Sequence, residues 1–200
     1  MTVLVSIEGG GGRRAEQAAL RKAFSELFGK LGIARPLPCA ECNGSRNAAE
    51  RSFRLHRQKL GENALLLVDA EGDIASDTPA WQYLKQHDGW ALDASTHDQV
   101  FVMVQLMESW FVADRQALAE YFGENFHRNQ LPGSERDIES IPKADVERGI
   151  AASTKDTRRG RYDKGRHSAD LLSRLRPDKI EAASPHAKRF FDRLRQVAGT

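Results

Sequence analysis

Two short apolar runs, Val3-Leu4-Val5-Ser6-Ile7 and Leu65-Leu66-Leu67-Val68, each break on an acid and then on glycine. Glu8 precedes Gly9 to Gly12, and Asp69-Ala70-Glu71 precedes Gly72. Runs of mostly branched residues predict buried, parallel strands. Between them, Leu20, Phe24, Leu27, Phe28 and Leu31 recur at helical spacing, with Gly32 at the stop position. Leu37 to Ala40 fits a short strand, and Asn43-Gly44-Ser45 offers a turn and an N-cap. Ala49, Phe53, His56 and Leu60 mark one face of a second helix ending at Gly61, where His56 reads as a packed histidine rather than a ligand. Thr78-Pro79 is an N-cap followed by proline at the first helical position, opening a short helix through Leu84. Phe101 to Val104 predicts another buried strand, running into one helix that carries Met107, Trp110, Phe111 and Leu118.

This alternation of strand and helix predicts an α/β fold, a mostly parallel sheet flanked by helices. Residues 125–142 are turn-rich around Leu131-Pro132-Gly133-Ser134. Helical patterns follow over 146–152 and 169–175, and Ser184-Pro185 caps a last amphipathic helix carrying Phe190, Phe191, Leu194 and Val197. The expected organisation is an α/β core over 1–124 and a basic, mainly helical extension over 125–200 packed on it.

With 200 residues, 40% hydrophobic and 29% charged, the chain can bury one full-sized core. No apolar stretch approaches the roughly 20 residues of a membrane helix. The chain starts directly in a strand, without a basic leader and apolar core, so the expected compartment is the cytoplasm and no membrane partner is expected. Cys39 and Cys42 form a lone C-x-x-C, read as two plain thiols because nothing completes a zinc ligand set. Charge is uneven: residues 1–142 carry 15 Lys and Arg against 20 Asp and Glu, and residues 143–200 carry 15 against 8. Such a split suggests a basic surface for a polyanion, or a solvated helix face.

The acids carry the sharpest chemistry. Open α/β sheets place their sites at the carboxyl ends of strands, and a buried carboxylate is costly unless it is paired or bound to a cation. Glu8, Asp69 and Glu71 therefore suggest a divalent-metal site, although Glu8 alone could equally cap the following helix. Asp69 and Glu71 are two apart, so in extended chain their side chains project to the same side. Mg²⁺ favours such oxygen ligands together with phosphate oxygens. Asp73 extends the cluster, and Glu108 is a further candidate, sharing a helix face with Gln105 unless it only caps that helix. The glycines match neither a P-loop nor a dinucleotide fingerprint, since Arg13 and Arg14 follow directly. Downstream, Arg158, Arg159, Arg161, Lys164, Arg166 and His167 crowd a stretch with Gly160, Gly165 and Tyr162. Phosphate contacts with base stacking are one use for it, and a solvated loop is the other.

The opening strand with Glu8 and its glycines and the Val68-Asp69-Ala70-Glu71 turn resemble a bacterial family of unknown function, DUF4276. So do the block from Met103 through Gln105, Met107, Glu108, Trp110 and Phe111 to Asp114, and the Tyr162-x-Lys164-Gly165-x-His167 segment. The resemblance implies a compact relative of the TOPRIM fold, with Glu8 at the first acidic position and Asp69 and Glu71 at an Asp-x-Asp position. It further implies a Mg²⁺- or Mn²⁺-dependent nuclease with Glu8, Asp69, Glu71 and Glu108 as catalytic residues, the first three holding the metal. The basic stretch would grip DNA or RNA, and an AAA/ABC-type ATPase would be a partner in phage defence. The family often carries an aspartate after its glycines, where this chain has Gly12 and Arg13. That missing acid favours the rival expectation, a non-catalytic subunit binding nucleic acid or a partner.

Overall fold

The computed structural model describes residues 2–199, among which four strands and nine α-helices are found. The strands are β1 (Leu4–Gly10), β2 (Cys39–Gly44), β3 (Ala64–Asp69) and β4 (Val100–Met103). The helices are α1 (Arg14–Gly29), α2 (Arg46–Leu60), α3 (Ala80–Asp88), α4 (Met107–Ala113), α5 (Arg115–Phe122), α6 (Lys143–Thr154), α7 (Lys164–Arg174), α8 (Pro177–Ala183) and α9 (Pro185–Ala198). The strands form one sheet in the order β2-β1-β3-β4, and every pairing is parallel. This is the α/β sheet flanked by helices that the alternation predicts, in keeping with a TOPRIM-like architecture.

Strand pleating divides the core in two. Val5 and Ile7 of β1, Leu65 and Leu67 of β3, and Phe101 and Met103 of β4 pack on one face, against α1 and the helices from α4 onward. Leu66, Val68, Val100 and Val102 pack on the other, against Ala49 and Phe53 of α2 and Ala80 and Leu84 of α3. Right-handed crossovers produce this arrangement. The connection from β1 to β2 runs one way along the sheet, while those from β2 to β3 and on to β4 run the other. The direction reverses between β1 and β3, which leaves a crevice at their carboxyl ends.

Several boundaries depart from the sequence pattern. The second strand begins at Cys39 rather than Leu37, because it pairs in register with β1 from Leu4↔Cys39. Cys39 and Cys42 are both free thiols on β2, as expected, and burial pushes the Cys42 thiol up to about 12. Ser45 caps α2 as expected, accepting from the Ala48 N–H. Pro79, not Thr78, is the N-cap of α3. The apolar run after β4 forms two helices, broken at Asp114. Gln105 precedes α4, so it shares no helix face with Glu108. No described helix is long and apolar enough to cross a membrane.

Candidate metal centre

The acidic site sits at the reversal point, and the turns around it are tightly built. At the end of β1 and just beyond it the chain passes through Gly9, Gly10 and Gly11, all at positive φ. A Cβ on Gly10 would stand 2.7 Å from the Gln17 Cα, so only glycine lets the turn lie against α1. Glu8 stays beside β3, where its Oε2 accepts the Asp69 N–H at 3.1 Å. Beyond β3, Ala70 N–H donates to Met103 O and Glu71 N–H to Gln105 O, at 2.9 and 2.8 Å. Glu71 has a φ of 66°, a left-handed conformation that costs a non-glycine residue about 1–3 kcal/mol. The extended-chain argument for Asp69 and Glu71 therefore needs correcting: β3 ends at Asp69, and the turn brings Glu71 back.

One carboxylate oxygen from each of Glu8, Asp69 and Glu71 lies within 4.8 Å of the other two. Asp69 is only 5% exposed. Burial pushes its carboxyl up to about 8, against the opposing pull of Lys164 and with Glu108 and Glu8 adding to the rise. Its Oδ1 accepts the Met107 N–H at 2.7 Å, so Asp69 satisfies the first turn of α4. Burial also raises the Glu8 pKa, offset by Arg46 and by the Asp69 N–H. Glu108, buried in the same first turn, does not cap it. Its oxygens accept from the Tyr162 hydroxyl at 2.9 Å and from Lys164 Nζ at 3.3 Å. Burial raises the Tyr162 pKa, with Glu108 adding to it, so the hydroxyl remains a donor.

Three cations balance the acids. Arg46, at the start of α2, donates from Nη1 to Glu8 Oε2 at 3.4 Å and to the Asp69 carbonyl at 2.5 Å. Asp88 grips its other edge at 2.9 and 2.7 Å. Lys143, opening α6, bonds Glu71 through Nζ, while its N–H donates to Gln105 Oε1 at 2.8 Å. Gln105 in turn donates to Asp73, which ties Asp73 into the supporting loop. Lys164 Nζ stands 3.9 Å from Asp69 Oδ2 as well as close to Glu108. Burial disfavours its charge, but Glu108 and Asp69 outweigh that and raise its pKa. Arg46 and Lys143 have no part in the sequence-level site. They sit at helix starts with no motif, though Ser45-Arg46 after a turn marks a side chain aimed at the strand ends.

The basic stretch divides. Arg158, Arg161 and Arg166 are exposed, and Lys164 belongs to the acidic site. Arg159, although exposed, donates to the Tyr121 carbonyl at 2.6 Å and stacks 4.3 Å from that ring's centre, so its head group is spent on the fold. His167 is 4% exposed and accepts the Asp163 N–H at 3.0 Å among Tyr121, Phe122 and Tyr162. Burial lowers its pKa. A nucleic-acid contact for His167 is therefore a correction: it is a packed, neutral group. Between the glycine turn and the start of α7 lies a cleft of about 610 Å³, with Glu8, Asp69, Glu71, Arg13 and Lys164 among its walls.

The fold and this site define a parallel α/β protein with a carboxylate cluster that could hold a metal ion. The chain belongs to the DUF4276 family: a model of that family, described as a domain of unknown function, matches residues 7–195. No curated protein and no solved structure matches it.

Proposed function

We propose that the protein is a Mg²⁺- or Mn²⁺-dependent nuclease of TOPRIM type. The carrying observation is the convergence of Glu8, Asp69 and Glu71 within 4.8 Å at the carboxyl edge of a parallel sheet. These hard oxygen donors suit either cation, and the buried Asp69 carboxylate has a reason to be there if a cation joins it. When bound, the cation would polarise a phosphate and lower the pKa of a coordinated water.

The protein's own groups supply the rest. Arg46 and the Asp69 N–H hold Glu8 through Oε2, leaving Oε1 either to join the cation or to take a proton from an attacking water. Lys164 keeps its charge beside Asp69 and Glu108 and meets the phosphate that enters the cleft. Tyr162 fixes Glu108, and Glu108 fixes Lys164. Arg158, Arg161 and Arg166 would hold flanking phosphates. By family resemblance, the protein would act as a phage-defence effector beside an AAA/ABC-type ATPase in the cytoplasm.

The test is incubation of the purified protein with mixed DNA and RNA and Mn²⁺ or Mg²⁺, alone and with any neighbouring ATPase. Glu8→Ala should abolish cleavage and leave nucleic-acid binding near normal, because a group serving the transition state contributes little to ground-state affinity. If the wild type and Glu8→Ala behave identically in the reconstituted pair, the nuclease reading is wrong.

One observation favours a non-catalytic binding subunit. Arg46, Lys143 and Lys164 already pair with Glu8, Glu71 and Glu108, so the cluster is partly neutralised without metal. That reading, in which the acidic cluster serves only metal-stabilised folding, requires no cleavage by the wild type with any metal, whereas the nuclease reading requires Mn²⁺- or Mg²⁺-dependent cleavage.

A further inference from the structure

At the end of α4 remote from the acids, the junction with α5 opens onto a cavity of about 320 Å³ with strongly cationic walls. Arg115 starts α5 there, Arg128 and Arg136 enter from the turn-rich loop, and Arg176 and Lys179 come from the start of α8. Two carboxylates face these five cations, and both are already engaged. Arg176 grips Asp114 through Nη2 and Nε at 2.5 and 2.9 Å. Glu135 lies 3.2 Å from Arg128 and 3.8 Å from Arg115.

Arg115 shows the imbalance best. Its side chain is 14% exposed, and Nη2 donates to the Pro132 and Gly133 carbonyls at 2.7 and 2.8 Å. Its buried Nε has no hydrogen-bond partner. Burial lowers the Arg115 pKa, Glu135 opposes that, and Arg128 adds to the fall. The Glu135 Oε2 stands 3.8 Å from that Nε, too far for a hydrogen bond, so the cluster's positive charge is only partly offset and an anion in the cavity fits here.

We infer that this cavity binds an oligophosphate anion. Guanidinium groups match phosphate oxygens in shape and charge, and three chain segments supply cations, enough for more than one phosphate. The volume lies at the small end of ligand pockets, about 300–1,000 Å³, which suits a short phosphate chain. Glu108 and the cavity-lining Ala113 stand five residues apart on α4, about 7.5 Å of helix. The cavity is therefore independent of the acidic site and of the function proposed for it.

Calorimetric titration of the full chain with inorganic tripolyphosphate, in EDTA and at fixed ionic strength, tests the inference. One saturable site per chain is expected. The exposed pair Arg128→Gln/Arg136→Gln should weaken it roughly tenfold or more, while Lys164→Gln should not change it. Substituting a nucleoside triphosphate names the source: tighter binding marks a nucleotide, and equal or weaker binding a free phosphate chain. Absence of saturable binding overturns the inference, and so does loss in Lys164→Gln with retention in the arginine pair. Equal weakening by Arg158→Gln/Arg161→Gln would also overturn it, since only net charge would then be sensed.

Discussion

Asp69 concentrates the conflict on which the site is built. A buried carboxyl raised to about 8 from its ordinary 3.8 prefers to be protonated in the folded chain, whereas the unfolded chain ionises it from about pH 4 upward. The sign follows: the folded state binds the extra proton between those values, so stability is full below pH 4 and falls as pH rises toward 8. In EDTA, Asp69→Asn should melt higher than the wild type at pH 8, with the gap closing toward pH 5, since asparagine keeps an oxygen for the Met107 N–H. A wild type that outmelts the variant at pH 8 in EDTA would refute the burial argument. A cation needs the ionised form, so the Mn²⁺-induced rise in melting temperature should be larger at pH 8.5 than at pH 6. The acids of this site were legible in the sequence because each ends an apolar run. Arg46 and Lys143 were not, since pairing across 38 and 72 residues leaves no local pattern.

Elements show the same division between local and distant causes. Strands β1, β3 and β4 and the capped helices α2 and α9 could be read from apolar runs and from Ser45 and Ser184, whereas β2 overlaps the expected Leu37–Ala40 only at Cys39 and Ala40. The run from Met107 to Leu118 reads as one helix, yet the chain breaks at Asp114, whose side chain is fully buried. Asp114 caps α5 through the Ala117 N–H and accepts from Arg176 at both its backbone and its guanidinium. Those hydrogen bonds outweigh the cost of its burial and hold its carboxyl below the ordinary value. Arg176→Ala should therefore cost about 1.5–3 kcal/mol, the worth of hydrogen bonds to a charged group, since the Ala117 and residue-176 N–H groups still serve Asp114. Asp114→Ala should cost about 2–4 kcal/mol, a lost cap plus charge-assisted hydrogen bonds. Urea denaturation measures both, and an Arg176→Ala cost under about 0.5 kcal/mol, the range of ordinary surface substitutions, would show the clamp to be idle. The basic stretch reads as one unit in the sequence, and the fold splits it because α7 starts at Lys164. Arg158→Gln/Arg161→Gln should flatten the salt dependence of nucleic-acid binding by roughly 0.7–0.9 log units per lost phosphate contact. Arg159→Gln should instead lower the melting temperature. The reverse pattern would exchange their roles.

At the scale of the whole molecule, residues 125–200 fold back on the sheet and complete the site. Lys143, Tyr162 and Lys164 all come from that part and close on Glu71, Glu108 and Asp69. The same helices cover one face of the sheet: Phe190 lies 5.4 Å from Phe101 and 6.0 Å from Phe28, and Phe191 lies 5.5 Å from Trp110, measured between ring centres. Phe28, Trp110, Phe190 and Phe191 are completely buried, so the two parts share one core rather than meeting at a surface between domains. Removing the helical part would expose those aromatics, whose burial is worth about 1.5–3 kcal/mol for a phenylalanine-sized side chain, an amount that matters against a total stability of about 5–15 kcal/mol. The chain should therefore unfold as one unit. Tryptophan fluorescence suits the test: Trp110 reports the face under α9, and Trp81 and Trp90 report the opposite face under α2 and α3. Urea transitions followed by this fluorescence and by far-ultraviolet circular dichroism should coincide in midpoint and slope. The same measurement on Trp81→Phe/Trp90→Phe, which leaves Trp110 alone, should give that midpoint again once the variant's own stability change is allowed for. An early loss of the Trp110 signal with helix and sheet intact on the other face would mean that α6 to α9 detach first. The acidic site would then assemble and open with them.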